Sequence, residues 1–237
     1  MSKERAPFLP RLARDLRALG ESPRELWIVY AIKFLESVAY FSVYNLLVVY
    51  LSTDLGYPDI AAGSVMGTWL MAISVVMYFS GFITDAIGTR TAMVLSILSC
   101  LVGRAIITFG HSRGVAVAGL FVMTWGVASM LPTMTAGVRR YTNEKTVSFG
   151  FSIFYVIMNL GAFAAARIVG SFRRSFTEPM VMELPGGVTL KMTSSQLVFA
   201  VGLVATLLSL ALVFFLRPDA RVATAAAPAH ALRINRR

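Results

Sequence analysis

The sequence predicts an all-α membrane protein of six transmembrane helices. Three observations predict it. First, 57% of the chain is hydrophobic and only 14% is charged, with a mean hydropathy of +0.70. A soluble domain carries about 25% charge. Second, six apolar runs recur along the 237 residues, at 26–51, 61–84, 91–109, 115–138, 147–166 and 196–216. Each approaches the ~20 residues that a helix needs to cross a bilayer. Third, basic residues collect on one set of connections. Lys3, Arg5, Arg11, Arg14, Arg17 and Arg24 precede the first run, and Arg217, Arg221, Arg233, Arg236 and Arg237 follow the last. Arg90, Arg139, Arg140 and Lys145 occupy the second and fourth connections. The opposite connections hold Arg113, Arg173, Arg174 and Lys191. Positive charge marks the cytoplasmic side, so the expectation is a multi-pass protein of the plasma (inner) membrane with both termini cytoplasmic.

This distribution also explains the net charge of +10. The charge flanks membrane spans instead of forming one basic face, so lipid is the expected partner and nucleic acid is not.

Residues 1–25 place Leu9, Leu12, Leu16 and Leu19 at helical spacing, with Arg11, Arg14 and Arg17 between them. The segment reads as an amphipathic cytoplasmic helix on the inner leaflet. It lacks the short apolar core and cleavage site of a signal peptide. Trp27 marks the membrane interface.

The first span carries Lys33 and Glu36, two charges that are costly in hydrocarbon. Tyr30, Lys33, Ser37, Tyr40 and Tyr44 recur every three or four residues and form one polar stripe, which Glu36 borders. Such a stripe must face other helices or a water-filled cavity. Two readings stay open. It is one wall of a solute path, or Lys33 and Glu36 pair locally at i,i+3 and only fix packing.

After a short acidic connection with Asp54 and Asp59, the second span supplies Gly63, Gly67, Ala72, Ser74, Ser80 and Gly81, the small residues of membrane helix contacts. The next connection contains Asp85, Gly88 and Arg90. Gly81 permits close approach, and Gly88 permits a tight reversal. In the third span, Arg104 either pairs with Glu36 or snorkels to the headgroups. Cys100 reads as a small buried apolar residue with no disulfide partner. His111 reads as a solvated residue of the outer turn. Pro132 frees a carbonyl and bends the fourth span.

In the fifth span, Tyr155 and Asn159 stand four residues apart and project to one face. Residues 167–195 form the largest external segment. Alternation in 180–184 and 188–192 about Pro185-Gly186-Gly187 predicts a β-hairpin. The tail 217–237 lacks periodicity and reads as disordered. No metal, nucleotide or hydrolase motif is found, so no cofactor and no enzymatic activity are expected. A six-span membrane enzyme is disfavoured by the missing acid, His and Cys clusters.

Four stretches carry a family resemblance. The spacing G-x-x-x-D-x-x-G-x-R, here Gly81, Asp85, Gly88 and Arg90, resembles the loop between helices 2 and 3 of the major facilitator superfamily of secondary transporters. Ala86 and Thr89 stand where that family has basic residues. Glu36 to Tyr44 is similar to the signature E-x-x-E-R-F-x-Y-Y of the proton-dependent oligopeptide transporters. Glu36, Phe41 and Tyr44 match; Ala39, Tyr40 and Val43 do not. Trp125-Gly126 and Leu131-Pro132 lie at that group's G-x-G-x-x-K-P, with Leu131 at the Lys position. Phe151-Ser152, Tyr155, Asn159 and Gly161 reproduce its F-S-x-x-Y-x-x-x-N-x-G.

The resemblance implies half of a twelve-helix major facilitator fold, built from two three-helix repeats of inverted topology. It implies a secondary active transporter that moves a small solute by alternating access, with proton coupling. The expected substrate and proton path is Lys33, Glu36, Tyr40, Tyr44, Arg104, Tyr155 and Asn159. The expected cytoplasmic gate is Gly81, Asp85, Gly88 and Arg90. One half cannot seal both sides in turn, so a second copy or a separate C-terminal half is implied. The alternatives are a truncated transporter fragment and a non-transporting membrane subunit.

Overall fold

A computed structural model describes residues 16–184 and 188–217. Six helices are long and apolar enough to cross a membrane. They are α1 (Arg24–Val49), α2 (Asp59–Ile87), α3 (Thr89–Phe109), α4 (Arg113–Tyr141), α5 (Val147–Ser175) and α6 (Ser194–Val213). A π-helical turn, Tyr50–Asp54, extends α1 at its C-terminal end.

Packing follows the expected inverted repeat. Helix α1 lies against α5 and α6, α4 lies against α2 and α3, and α3 meets α6. Exchanging the first three helices for the last three maps this pattern onto itself, as two inverted triplets require. The consequence for burial is uneven. Half or more of the apolar windows of α1, α3 and α4 is buried, but only 17% of that of α2 and 22% of that of α5.

Glycine lets the α3 and α4 backbones meet. A Cβ on Gly103 would sit 2.6 Å from Met123 Cβ, closer than side-chain carbons approach. The same holds between α5 and α1, where a Cβ on Gly161 would sit 2.6 Å from Ser37 Cβ. The small residues expected to make contacts in the second span behave differently. Gly63, Gly67 and Gly81 have nothing within 4 Å of a Cβ position. They lie on the uncovered side of α2, so the expectation that Gly81 mediates close approach within this chain is corrected.

Gly88 does what its sequence position demands. It alone separates α2 from α3, at φ 84°, a left-handed value that glycine adopts without steric cost. Pro132 leaves α4 unbroken. The carbonyl that loses its helical donor is that of Ala128, and Ser80 Oγ of α2 donates to it at 3.4 Å. Thr84 and Thr133 share a hydrogen bond at 3.0 Å one turn further in. Both contacts join α2 to α4, where membrane helices use hydroxyls as polar links.

The fifth helix is longer than its apolar run. Residues 167–175, expected to open the external segment, are helical to Ser175. Ile168, Val169 and Phe172 pack on the core and carry the helix onward. Arg173 and Arg174 fall in its last turn, where the helix dipole favours positive charge. The hairpin is present as β1 (Met180–Leu184) and β2 (Val188–Met192), antiparallel, with Met180 opposite Met192.

Both ends of the bundle are tied. At the end away from the chain termini, Arg113 donates to the carbonyls of Leu55 and Gly56. Thr193 donates to Asp54 at 2.7 Å, and Gln196 donates to the Gly110 carbonyl at 3.0 Å. His111 is exposed as expected, yet its Nδ1 lies 3.3 Å from Gln196 Nε2. At the opposite end, Arg217 Nε lies 3.2 Å from the buried Glu25 carboxylate and joins α6 to α1. Of the amphipathic N-terminal segment, residues 16–20 are helical, with Leu19 buried and Leu16 exposed. Leu9, Leu12, Arg11 and Arg14, the hairpin tip 185–187 and the tail beyond 217 lie outside the described residues.

Candidate functional site

Three charged side chains meet inside the bundle. Lys33, Glu36 and Arg104 are 9%, 6% and 1% exposed. Arg104 Nη1 of α3 donates to Glu36 Oε2 of α1 at 2.8 Å. The same nitrogen contacts Thr206 Oγ1 of α6. One guanidinium therefore joins three helices. Of the two readings of Arg104, the pairing with Glu36 is the one realised; snorkelling is excluded because the side chain is buried.

That pairing also bears on the two open readings of the α1 stripe. Glu36 gives its carboxylate to Arg104 across the helix interface, not to Lys33 along its own helix. Lys33 Nζ instead lies 4.8 Å above the Phe154 ring of α5, a cation–π contact. The ion pairs among the described residues do not include Lys33.

These residues line a cavity of about 220 Å³. Lys33, Glu36, Ser37 and Tyr40 form its α1 wall, and Arg104 and Cys100 its α3 wall. Met77 of α2, Met130 and Met134 of α4, and Met158 of α5 supply apolar surface. Cys100 is buried and unpaired, as expected. Burial of this charge cluster is affordable because each charge has a specific neighbour, where an isolated ion in hydrocarbon would cost several kcal/mol or more.

The polar stripe on α1 divides at this cavity. Tyr30, at its N-terminal end, is buried and donates to the Gly150 carbonyl at 2.8 Å. It is a packing residue. Tyr40 lines the cavity, with its ring 6.2 Å from that of Trp69. Tyr44 stacks on Tyr40 at 6.0 Å and is 38% exposed. Tyr155 is 49% exposed and Asn159 is exposed. Neither lines the cavity, and Asn159 Nδ2 donates to its own helix at the Tyr155 carbonyl, 2.9 Å away. In this chain they present outward, beside the uncovered face.

The Gly81-to-Arg90 corner also divides. Asp85 faces a second, larger cavity of about 1030 Å³ with Arg139, Arg140 and Phe151. Arg90 turns the other way, its Nη2 lying 3.5 Å from the Phe214 carbonyl beyond α6. Gly88 shapes the corner and Gly81 is open. Of the four residues expected as one gate, Asp85, Gly88 and Arg90 thus serve separate places, and Gly81 meets nothing within 4 Å of a Cβ position.

Sequence reasoning missed Thr206, Phe154, Trp69 and the methionines. Thr206 had a signal, being one of few polar residues in the last span. Phe154 sat inside the quoted motif but reads as ordinary core. The methionines have no pattern that separates cavity lining from packing. Among the described residues, no group of three His, Cys, Asp or Glu side chains is placed to hold a metal.

Comparison with known proteins agrees with this architecture. The family model "Major Facilitator Superfamily" matches residues 29–234. The chain is 19% identical over 147 residues to dipeptide and tripeptide permease A of Escherichia coli (strain K12), covering 60% of this chain and 29% of the permease. It is 26% identical over 153 residues to peptide transporter family 1 of Drosophila melanogaster, covering 59% of this chain and 20% of that protein. Two solved structures share its fold. A POT family transporter in complex with 5-aminolevulinic acid superimposes with a TM-score of 0.69 at 21% identity, over 81% of this chain and 38% of that one. A protein solved for substrate recognition in proton dependent oligopeptide transporters gives 0.68 at 21% identity, over 81% and 42%. The chain spans well under half the length of each.

Proposed function

The chain belongs to the Major Facilitator Superfamily, and we propose that it acts as the N-terminal half of a secondary active transporter for a small solute. It is an integral membrane protein of six spanning helices. The observation that carries the proposal is the buried Glu36–Arg104 pair lining a cavity in an otherwise apolar bundle. A bundle that only anchored a partner gains nothing from burying such a pair, since apolar residues of similar volume cost less. A translocation path needs charge there.

Alternating access requires a second bundle rocking against this one. The uncovered sides of α2 and α5 supply the surface for it, and Met77 and Met158 on those helices already reach the cavity. The second bundle is a C-terminal half or another copy of the chain. Asp85, with Arg139 and Arg140 beside it, closes the inner mouth against that bundle. Gly88 sets the corner and Arg90 ties it to the end of α6. Basic residues at the inner connections support cytoplasmic termini and residence in the plasma (inner) membrane.

Proton coupling falls to Glu36. Protonation of its carboxylate weakens the pair with Arg104 and frees α1 and α3 to shift. Tyr40, Tyr44, Tyr155 and Asn159 then contact the solute once the second bundle covers them. The alternative, a non-transporting subunit, keeps the same helices without flux.

The test is reconstitution of the purified chain in liposomes with an imposed proton gradient, with oligomeric state measured on the same sample. Labelled dialanine and labelled hexanesulfonate serve as probe solutes. Gradient-driven uptake is expected only where a second bundle is present, and Glu36→Gln is expected to abolish it at normal expression. Uptake by isolated six-helix monomers would overturn alternating access between two bundles. Unchanged uptake in Glu36→Gln would remove Glu36 from coupling. Absence of any uptake by a two-bundle assembly would favour the non-transporting subunit.

A further inference from the structure

The charges that line the central cavity do not balance. Glu36 and Arg104 cancel one another at 2.8 Å. Lys33 remains, with the Phe154 ring as its neighbour and no carboxylate in the ion pairs of the described residues. One helical turn on, the Ser37 hydroxyl is buried and makes no hydrogen bond. Residues at i and i+4 lie on one helix face, and both line the cavity. The site thus holds a cation and an unused hydroxyl side by side. A buried polar group left unmatched costs roughly 1–3 kcal/mol, so a ligand oxygen that engages both recovers that cost.

We propose that Lys33 and Ser37 bind the anionic head of a small monoanion, a carboxylate or sulfonate, whose apolar body lies among Met77, Met130, Met134 and Met158. The inference rests on reading the cavity as the solute site. Three features set the class. The lining carries one net positive charge. The Glu36 carboxylate has its charge balanced by Arg104 at Oε2, although its Oε1 makes no hydrogen bond, so it attracts a solute ammonium less than the unbalanced Lys33 attracts an anion. The volume, about 220 Å³, falls below the ~300–1,000 Å³ of pockets for drug-sized ligands. Thioethers adapt to varied apolar shapes, so the head is recognised more strictly than the tail.

The experiment is equilibrium dialysis of radiolabelled hexanesulfonate against the full chain in lipid nanodiscs, with empty nanodiscs as blank. A sulfonate stays ionised at every working pH and does not cross lipid unaided. Saturable binding is expected, with hexanoate displacing the probe and hexyltrimethylammonium not. Lys33→Met should weaken binding by about tenfold or more, and Ser37→Ala by roughly three- to tenfold. Lys33→Arg should stay within about threefold, since the charge is kept. Glu36→Gln should tighten binding severalfold by removing the neighbouring negative charge, an effect a purely structural role would not produce.

No saturable binding, equal binding by Lys33→Met, or displacement by dialanine at lower concentration than hexanoate would each overturn the inference. If Lys33→Met elutes as aggregate, Ser37→Ala and Glu36→Gln decide: unchanged affinity in both overturns it. Binding is read here without flux. Loss of binding with gradient-driven uptake intact would defeat this inference alone, and intact binding without uptake would defeat only the transport reading.

Discussion

Helices α1 and α5 are similarly apolar, yet they lead different lives. In α1, 56% of the apolar window is buried; in α5, 22% is. Both carry polar residues at helical spacing. On α1 Lys33, Glu36 and Ser37 turn inward, where Arg104 meets Glu36 and is itself held by Thr206. On α5, Tyr155 and Asn159 turn outward and find only their own helix. The contrast teaches that polar spacing shows a face exists but not what covers it. For α1 the cover is this chain. For α2 and α5 the cover must come from a second bundle, or from lipid.

Single substitutions at four positions sharpen or break that contrast. The largest effect belongs to Arg104→Met. It leaves the Glu36 carboxylate buried without its partner, and breaking a buried pair from one side costs on the order of 3–5 kcal/mol. A fall in unfolding temperature of the detergent-solubilised chain checks it. Adding Glu36→Gln in the same molecule should recover much of the loss. No recovery would mean that Arg104 stabilises the bundle by packing and not by charge.

Next comes a matched pair of glycines. Gly161→Leu pushes α5 away from Ser37 of α1 and should cost about 1–3 kcal/mol or more by overpacking. Gly67→Leu, on the uncovered side of α2, should change the isolated chain by less than ~0.5 kcal/mol. It should nonetheless impair assembly with a second bundle, read as a shift in oligomeric state. Equal destabilisation of the isolated chain by both would show that α2 is covered within it.

The smallest effect is that of Thr206→Val, which removes one contact of Arg104 while keeping shape. A loss of about 0.5–1.5 kcal/mol is expected by thermal unfolding. A loss as large as that of Arg104→Met would make Thr206 the main partner of the guanidinium.

Much of the fold was legible in the chain. Six apolar runs became six helices because a bilayer leaves helices or closed barrels as the forms that satisfy every backbone group. Gly88 was legible because a reversal in one residue demands left-handed backbone. The hairpin was legible from alternation about Pro185-Gly186-Gly187. The α5 extension to Ser175 was not, because Arg167, Arg173 and Arg174 dilute the hydropathy while Ile168, Val169 and Phe172 still hold the helix to the core. Half of the site was legible too. Lys33, Glu36 and Arg104 stood out as charges in apolar runs. Their pairing stayed one of two open readings, because Glu36 lies one turn from Lys33 in sequence and 68 residues from Arg104. Only the approach of α1 to α3 decides between them.

By itself the sequence determined that the chain enters a membrane, how many times it crosses, which connections carry the positive charge and which residues interrupt the hydrocarbon. These follow from local quantities: run length, spacing and the cost of charge in lipid. The tertiary structure decided which charge neutralises which, that Lys33 is left over, and that the glycines of α2 await a neighbour while Gly103 and Gly161 already have one. Those outcomes depend on which helix faces come together, and helix contact is a property of two surfaces at once that no single run encodes.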